Sequence, residues 1–177
     1  MTTWHRSLRS NPRSGLSIHD VLATALTAEL LSPSPQLWLV SPWVSDIAVL
    51  DNRDQRLEPL LGEGWARELY LSEVLSLLVD RRSHLHLVIR PQEHNDRFLD
   101  RLDGALLRVG RTRADSVDVH TGADLHEKTI CGSEWLITGS MNFTWRGLEQ
   151  NDEAVTYSVD PPLAAQTRLD LEHRWSE

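Results

Sequence analysis

Lysine is almost missing from this chain of 177 residues. Of its 18 Lys+Arg positions, arginine fills all but one, and the exception is Lys128. Chemistry that needs two lysines from a single chain is thereby excluded. Cysteine is equally scarce. The lone Cys131 rules out an intrachain disulfide framework and a cysteine-based zinc site within one chain, and reads as a small buried hydrophobe. No apolar run approaches the roughly 18–20 residues that cross a bilayer. The opening stretch MTTWHRSLRSNPRSG is basic and polar and lacks the apolar segment of a secretory signal. Residues 1–16 are therefore expected to be a flexible arm and 17–177 one domain, in a soluble, cytoplasmic protein with no membrane partner. Positive charge is in deficit as well. A net charge of −8 argues against coating long stretches of nucleic acid unaided. It leaves room for a local cationic pocket, because charges are screened over roughly 8 Å at physiological salt.

The patterning that is present suits an α/β protein. LSIHDVLATALTAELLS puts Ile18, Leu22, Ala25, Leu26 and Leu30 on one helical face, with Pro33 and Pro35 beyond it. QLWLVSPWVSD reads as a buried strand running into a turn at Ser41-Pro42, and residues 51–70 as a long, glycine-punctuated excursion. A helix capped at Ser72, the strand HLHLVIRP, a helix capped at Asn95 and ended at Gly110, and the strand SVDVHTG follow. LHEKTICGSEWLITGSMNF reads as a hairpin turning near Gly132-Ser133, NDEAVTYSV as a strand and PPLAAQTRLDLEHRW as a closing helix. Strands alternate with helices early and cluster late. The expected fold is a mixed β-sheet flanked by helices on both faces, an α/β/α sandwich.

The lone lysine stands two residues after a histidine. At strand periodicity His126 and Lys128 share a face while Glu127 and Thr129 take the other. Lysine presents a compact point charge where arginine presents a broad fork, and an ammonium beside a histidine suits one phosphate oxygen. In TGSMNF, Gly139 would let a ligand approach the backbone, and Ser140 and Asn142 are neutral donors for phosphate oxygens. Glu153 in NDEAV is a carboxylate able to orient an imidazole. His120 and Arg146 are further candidates to line the same pocket, and Trp145 could stack on a base or pack into the core. His84 and His86 share a strand face and read as two solvent-facing residues rather than metal ligands.

The run HEKTICGSEWLITGSMN, residues 126–142, resembles the HKD signature of the phospholipase D superfamily, H-x-K-x4-D-x6-G-S-x-N. NDEAV resembles the glutamate-bearing strand of its small bacterial nucleases, and SPWVSD their first core strand. One departure is visible: Ser133 occupies the aspartate position. The resemblance implies a phospholipase D-like sandwich and a phosphodiesterase, foremost a DNA nuclease working through a phosphohistidine. His126 would be the nucleophile, Lys128, Ser140 and Asn142 the oxyanion donors, and Glu153 the orienting carboxylate. No metal or other cofactor is expected. Because the chemistry uses two histidines and two lysines, the resemblance also implies a homodimer with the site on its two-fold axis. An ATPase or translocase partner in a prokaryotic anti-phage defence system would bring the DNA. The competing readings are a phospholipase or phosphatidyl transferase, and a degenerate module that binds nucleic acid or protein.

Overall fold

The structure is a computed structural model that describes residues 3–9, 17–62, 64–65 and 68–175. After the strand β1 (Trp4–Arg9) comes helix α1 (Ile18–Leu31). Its start is set by a capping box in which Ser17 and Asp20 satisfy each other's backbone N–H groups. The stripe expected from the sequence is fully buried. Strand β2 (Gln36–Val40) then runs through the centre of the sheet. Its residues alternate sides: Leu37 and Leu39 join one core cluster, and Trp38 and Val40 the other. The excursion that follows folds into β3 (Ala48–Asp51), α2 (Glu58–Leu61) and β4 (Glu68–Tyr70), with β3 and β4 paired as a separate two-stranded sheet. Helix α3 (Leu71–Asp80) begins one residue before Ser72, which is buried inside the first turn rather than capping it.

The remaining elements are β5 (His84–Ile89), α4 (Glu93–Arg108), α5 (Arg113–Ser116), β6 (Val117–Thr121), β7 (Thr129–Cys131), β8 (Trp135–Gly139), α6 (Trp145–Glu149), β9 (Ala154–Val159) and α7 (Pro161–Trp175). The main sheet has the order β1-β9-β8-β7-β2-β5-β6. Strands β2, β5 and β6 are parallel, while β7, β8, β9 and β1 alternate in direction. Helices α1, α3 and α4 bury one face in a large aliphatic core. On the other face Ala164, Leu171 and Trp175 of α7 cover Trp38, Val88, Leu125, Cys131 and Leu136. The expected mixed sheet with helices on both faces is the fold observed. Burial pushes the Cys131 thiol up to about 11, so it is inert packing.

The expected flexible arm needs correction. Trp4–Arg9 add β1 to the sheet edge, in register along the whole of β9, with His5 Nδ1 2.8 Å from Ser158 Oγ. The backbone groups of β9 would otherwise be unpaired on that side, which is what recruits the segment. Residues 1–2 and 10–16 of the expected arm lie outside the described residues.

Candidate active site

Strand direction builds the site. The C-terminal ends of β2, β5, β6 and β8 and the N-terminal ends of β7 and β9 all emerge at one rim of the sheet. Open sheets of this kind present their ligand sites at strand ends where the direction of winding changes. The rim starts at Ser41, whose hydroxyl donates to Trp43 O at 2.9 Å and to Asn142 Oδ1 at 3.4 Å. Asn95, fully buried, anchors the same loop. It accepts the Val44 N–H at 2.9 Å and donates to the Pro42 and Arg90 carbonyls at 2.9 and 2.8 Å. Asn95 therefore does not cap α4, which starts at Glu93; it ties two strand ends together.

Arg90 leaves β5 into this frame. Its Nε donates to Leu125 O at 3.0 Å and its guanidinium lies 4.9 Å over the Trp43 ring, with a terminal nitrogen 3.4 Å from His126 Nε2. Arg90 belongs to no motif in the sequence. The available signal was its place at the end of a parallel strand, immediately before Pro91.

His126 is exposed and Lys128 half-buried, and both lie on the extended lead-in to β7 rather than in the strand itself. The expected alternation holds. Glu127 bonds to Thr129 Oγ1 at 2.9 Å and pairs with Arg174 of α7 at 2.6 Å, leaving His126 and Lys128 the opposite side. The Lys128 ammonium donates to the His126 carbonyl, which holds the lysine head beside the histidine.

Across the β7–β8 ladder, Gly139 N–H donates to Lys128 O at 3.2 Å, placing the Gly-Ser pair next to the lysine. Ser140 donates its hydroxyl to the Glu153 carboxylate and accepts the Ala154 N–H at 3.0 Å. Glu153 is buried and also receives the Asn151 side-chain amide at 3.1 Å. The contacts of Glu153 thus include Ser140 and Asn151. Gly139 has a structural reason that the sequence reading did not offer. A Cβ there would sit 2.1 Å from Ala154 O and 2.8 Å from Val155 Cα, so the closeness of β9 by itself demands glycine. Gly147 is similar: a Cβ would lie 2.3 Å from Asn142 O, so its absence lets α6 close over the asparagine loop.

Asn142, Trp43, Trp145 and Arg146 line a cleft of about 520 Å³ with His94 at its edge. Arg146 is therefore brought to the asparagine side of the rim, and Trp145 is exposed there rather than packed in the core. His120 goes elsewhere. It lies on the sheet face under α7's layer, stacked 5.9 Å from Trp38 and 6.2 Å from His86. His86 is itself buried beneath that layer, correcting its solvent-facing reading, and burial lowers its imidazole to about 4, with neighbouring His84 adding to the effect.

Ser133 lies in the tight β7–β8 turn, where Gly132 N–H donates to Trp135 O at 3.0 Å and Ser133 N–H to Ser34 Oγ at 2.7 Å. The run departs from the HKD signature in spacing as well as at Ser133, since only five residues separate Ser133 from Gly139 where the signature has six. That turn is at the opposite end of β7 from Lys128, roughly 15 Å away at ~3.3 Å per residue. Its side chain does not reach the rim.

Comparison with known proteins agrees with this geometry. The family model described as "Cardiolipin synthase, PLD-like domain" matches residues 70–175. No curated protein matches the chain in sequence. Among solved structures, NucT from Helicobacter pylori superposes with TM-score 0.64 at 11% identity, covering 97% of this chain and 95% of its own. The phospholipase D family member Nuc from Salmonella typhimurium gives 0.57 at 16% identity, covering 97% and 91%. TrmBL2, an archaeal chromatin protein whose structure shows a novel mode of DNA binding, gives 0.51 at 13%, covering 97% of this chain and 51% of its own. At these identities the structural likeness speaks to the fold.

Proposed function

The chain belongs to the phospholipase D superfamily, and on that premise we propose that it is a metal-independent nuclease cleaving DNA through a phosphohistidine on His126. One observation carries the reading: separate elements deliver His126, Lys128, Ser140 and Asn142 to a single rim. The His126 imidazole attacks phosphorus, forming an N–P bond as the P–O bond to the leaving oxygen breaks. A second histidine gives that oxygen its proton, then takes a proton from the water that cleaves the N–P bond. Lys128, Asn142 and Arg146 hold the nonbridging oxygens as charge builds on them. Glu153 acts by fixing the Ser140 hydroxyl. The Asn142 NH2 is the group that would donate to phosphate. Arg90, against both Trp43 and His126, joins this set as an orienting cation.

The second histidine and second lysine come from another copy of the chain, since this one holds a single lysine. A two-fold homodimer is the simplest arrangement. The β7–β8 hairpin is ill suited to be the contact between the two copies. Both faces of that hairpin are covered by helices and its turn points away from the rim. The two copies would instead meet through the loops around Trp43, His126 and Trp145. With a net charge of −8 on each chain, the dimer would depend on an ATPase or translocase partner to deliver DNA, in a cytoplasmic anti-phage role. The DNA-binding chromatin protein of the same fold is in keeping with a nucleic-acid substrate.

A phosphatidyl transferase is the second reading, favoured by the cardiolipin synthase description of the matching family. Against it, among the described residues no helix is long and apolar enough to cross a membrane. The discriminating experiment incubates the protein in EDTA with end-labelled DNA and, separately, with phosphatidylglycerol vesicles. DNA cleavage, with label trapped on His126, supports the nuclease. Lipid turnover alone would replace it with the transferase, and neither activity would leave a binding module. Mixing wild-type with His126→Ala chains then tests the dimer. Activity should fall with the fraction of purely wild-type pairs, and full activity from isolated monomers would refute shared sites.

A further inference from the structure

Away from the rim, the α7 side of β5 and β6 carries a polar cluster that the phosphodiester chemistry does not use. His84 and His86 project from β5, and Asp118 of β6 stands opposite His86 in register. Asp118 Oδ2 lies 2.8 Å from His84 Nε2 and 3.4 Å from His86 Nδ1. One donor atom from each of the three falls within 4.8 Å of the others. His86 is only 7% exposed, yet neither of its ring nitrogens has a hydrogen-bond partner among the described residues. A buried polar atom left unpaired is costly, and native structures rarely tolerate it without reason. The indole of Trp38 is stacked on the His86 ring, 4.1 Å away and 10° from parallel, fixing the direction of its lone pair.

We propose that His84, His86 and Asp118 form a site for one divalent transition-metal ion of the zinc class. Two imidazoles and a carboxylate suit zinc and its neighbours, whereas magnesium and calcium take oxygen ligands. Ligands about 2.0–2.1 Å from a tetrahedral ion are roughly 3.4 Å apart. The observed separations bracket that figure, so side-chain rotations of about an ångström complete the geometry. Asp118 is exposed and His84 partly so, leaving an open path for the ion and a fourth position for water. The ion would clip β5 to β6, the outermost strand of the sheet, and so secure an edge that pairs with no further strand among the described residues. It would not touch His126, which makes the proposal independent of the nuclease reading.

The test is zinc titration of chelator-stripped protein by calorimetry, with Co2+ absorption as a second readout of ligand geometry. The expected result is one ion per chain, and a melting temperature that rises with zinc. His84→Gln and Asp118→Asn alter exposed side chains, so both variants should fold, as circular dichroism in EDTA would check. Each should lose affinity by about 100-fold or more, since even outer-shell partners are worth roughly 10–100-fold. No uptake at micromolar zinc would overturn the site, leaving a hydrogen-bonded His84–Asp118 pair. Unchanged uptake by either variant would equally overturn it, because the ion would then be held elsewhere.

Discussion

Asn95→Ala should destabilise the protein far more than its position on a helix suggests. The side chain is fully buried and makes three hydrogen bonds, to Val44 N–H, Pro42 O and Arg90 O. Alanine would leave those backbone groups facing a small void with no water. The Pro42 carbonyl keeps a second donor, the Arg90 N–H at 3.4 Å, so about two groups become unsatisfied. At roughly 1–3 kcal/mol each, the cost is about 3–4 kcal/mol. For a chain of this size each kcal/mol lowers the melting temperature by about 2–4 °C, giving a fall of roughly 6–16 °C. Thermal melts followed by circular dichroism measure it, and hydrogen exchange should show faster exchange of the Val44 amide. Asn95→Asp should not rescue: it keeps an acceptor for Val44 but turns the donating nitrogen towards two carbonyls into an oxygen. A melting temperature within about 2 °C of wild type for the alanine variant would refute the argument that Asn95 braces the rim.

Periodicity made much of this fold legible. Helix α1 and the central strands announce themselves because they are buried on a face or on both sides, and burial leaves a pattern in the residues. The edge strand β1 does not. WHRSLR is almost wholly exposed, and it is a strand only because β9 needs partners for its backbone, a demand that lies about 150 residues away. The same holds for Asn95 and Ser72. Local chemistry suggested caps, whereas tertiary contacts put both inside helices.

At the site, residues within the HEK-to-Asn run could be found because spacing along one chain segment encodes them. Arg90 could not, since its meeting with His126 depends on the order of strands in the sheet. Gly139 was legible as a required glycine but not for the right neighbour, because the nearness of β9 is a fact of register. His86 shows the same limit from the other side. Its alternation was visible, but not that Trp38 would stack on it and bury it.

Mutational damage should be graded. His126→Ala should abolish turnover of the proposed nuclease, and Asn142→Ala should cost about 10²–10³-fold as one oxyanion donor among several; equal residual activity would contradict these roles. Lys128→Arg should be nearly as harmful as Lys128→Ala, and an active arginine variant would mean that charge alone suffices there. Ser17→Ala should cost about 1 kcal/mol at pH 7 by opening the α1 capping box. The backbone N–H and then the hydroxyl of Ser17 hold the Asp20 carboxyl below its ordinary value, so this stabilisation is present above about pH 4 and lost as pH falls through the folded-state value. The difference between wild type and an Asp20→Ala variant in acid melts should therefore shrink, and a constant difference down to pH 2 would count against the box. Ser133→Asp restores the residue of the HKD signature and should nonetheless leave turnover within about twofold, because the turn it occupies is roughly 15 Å from Lys128. The backbone N–H of residue 133 is already tied to Ser34 Oγ in that turn, which holds the position at the far end of the hairpin. A tenfold gain in rate would show that the far end of the hairpin reaches the chemistry after all, and the division between a catalytic rim and a structural turn would have to be given up.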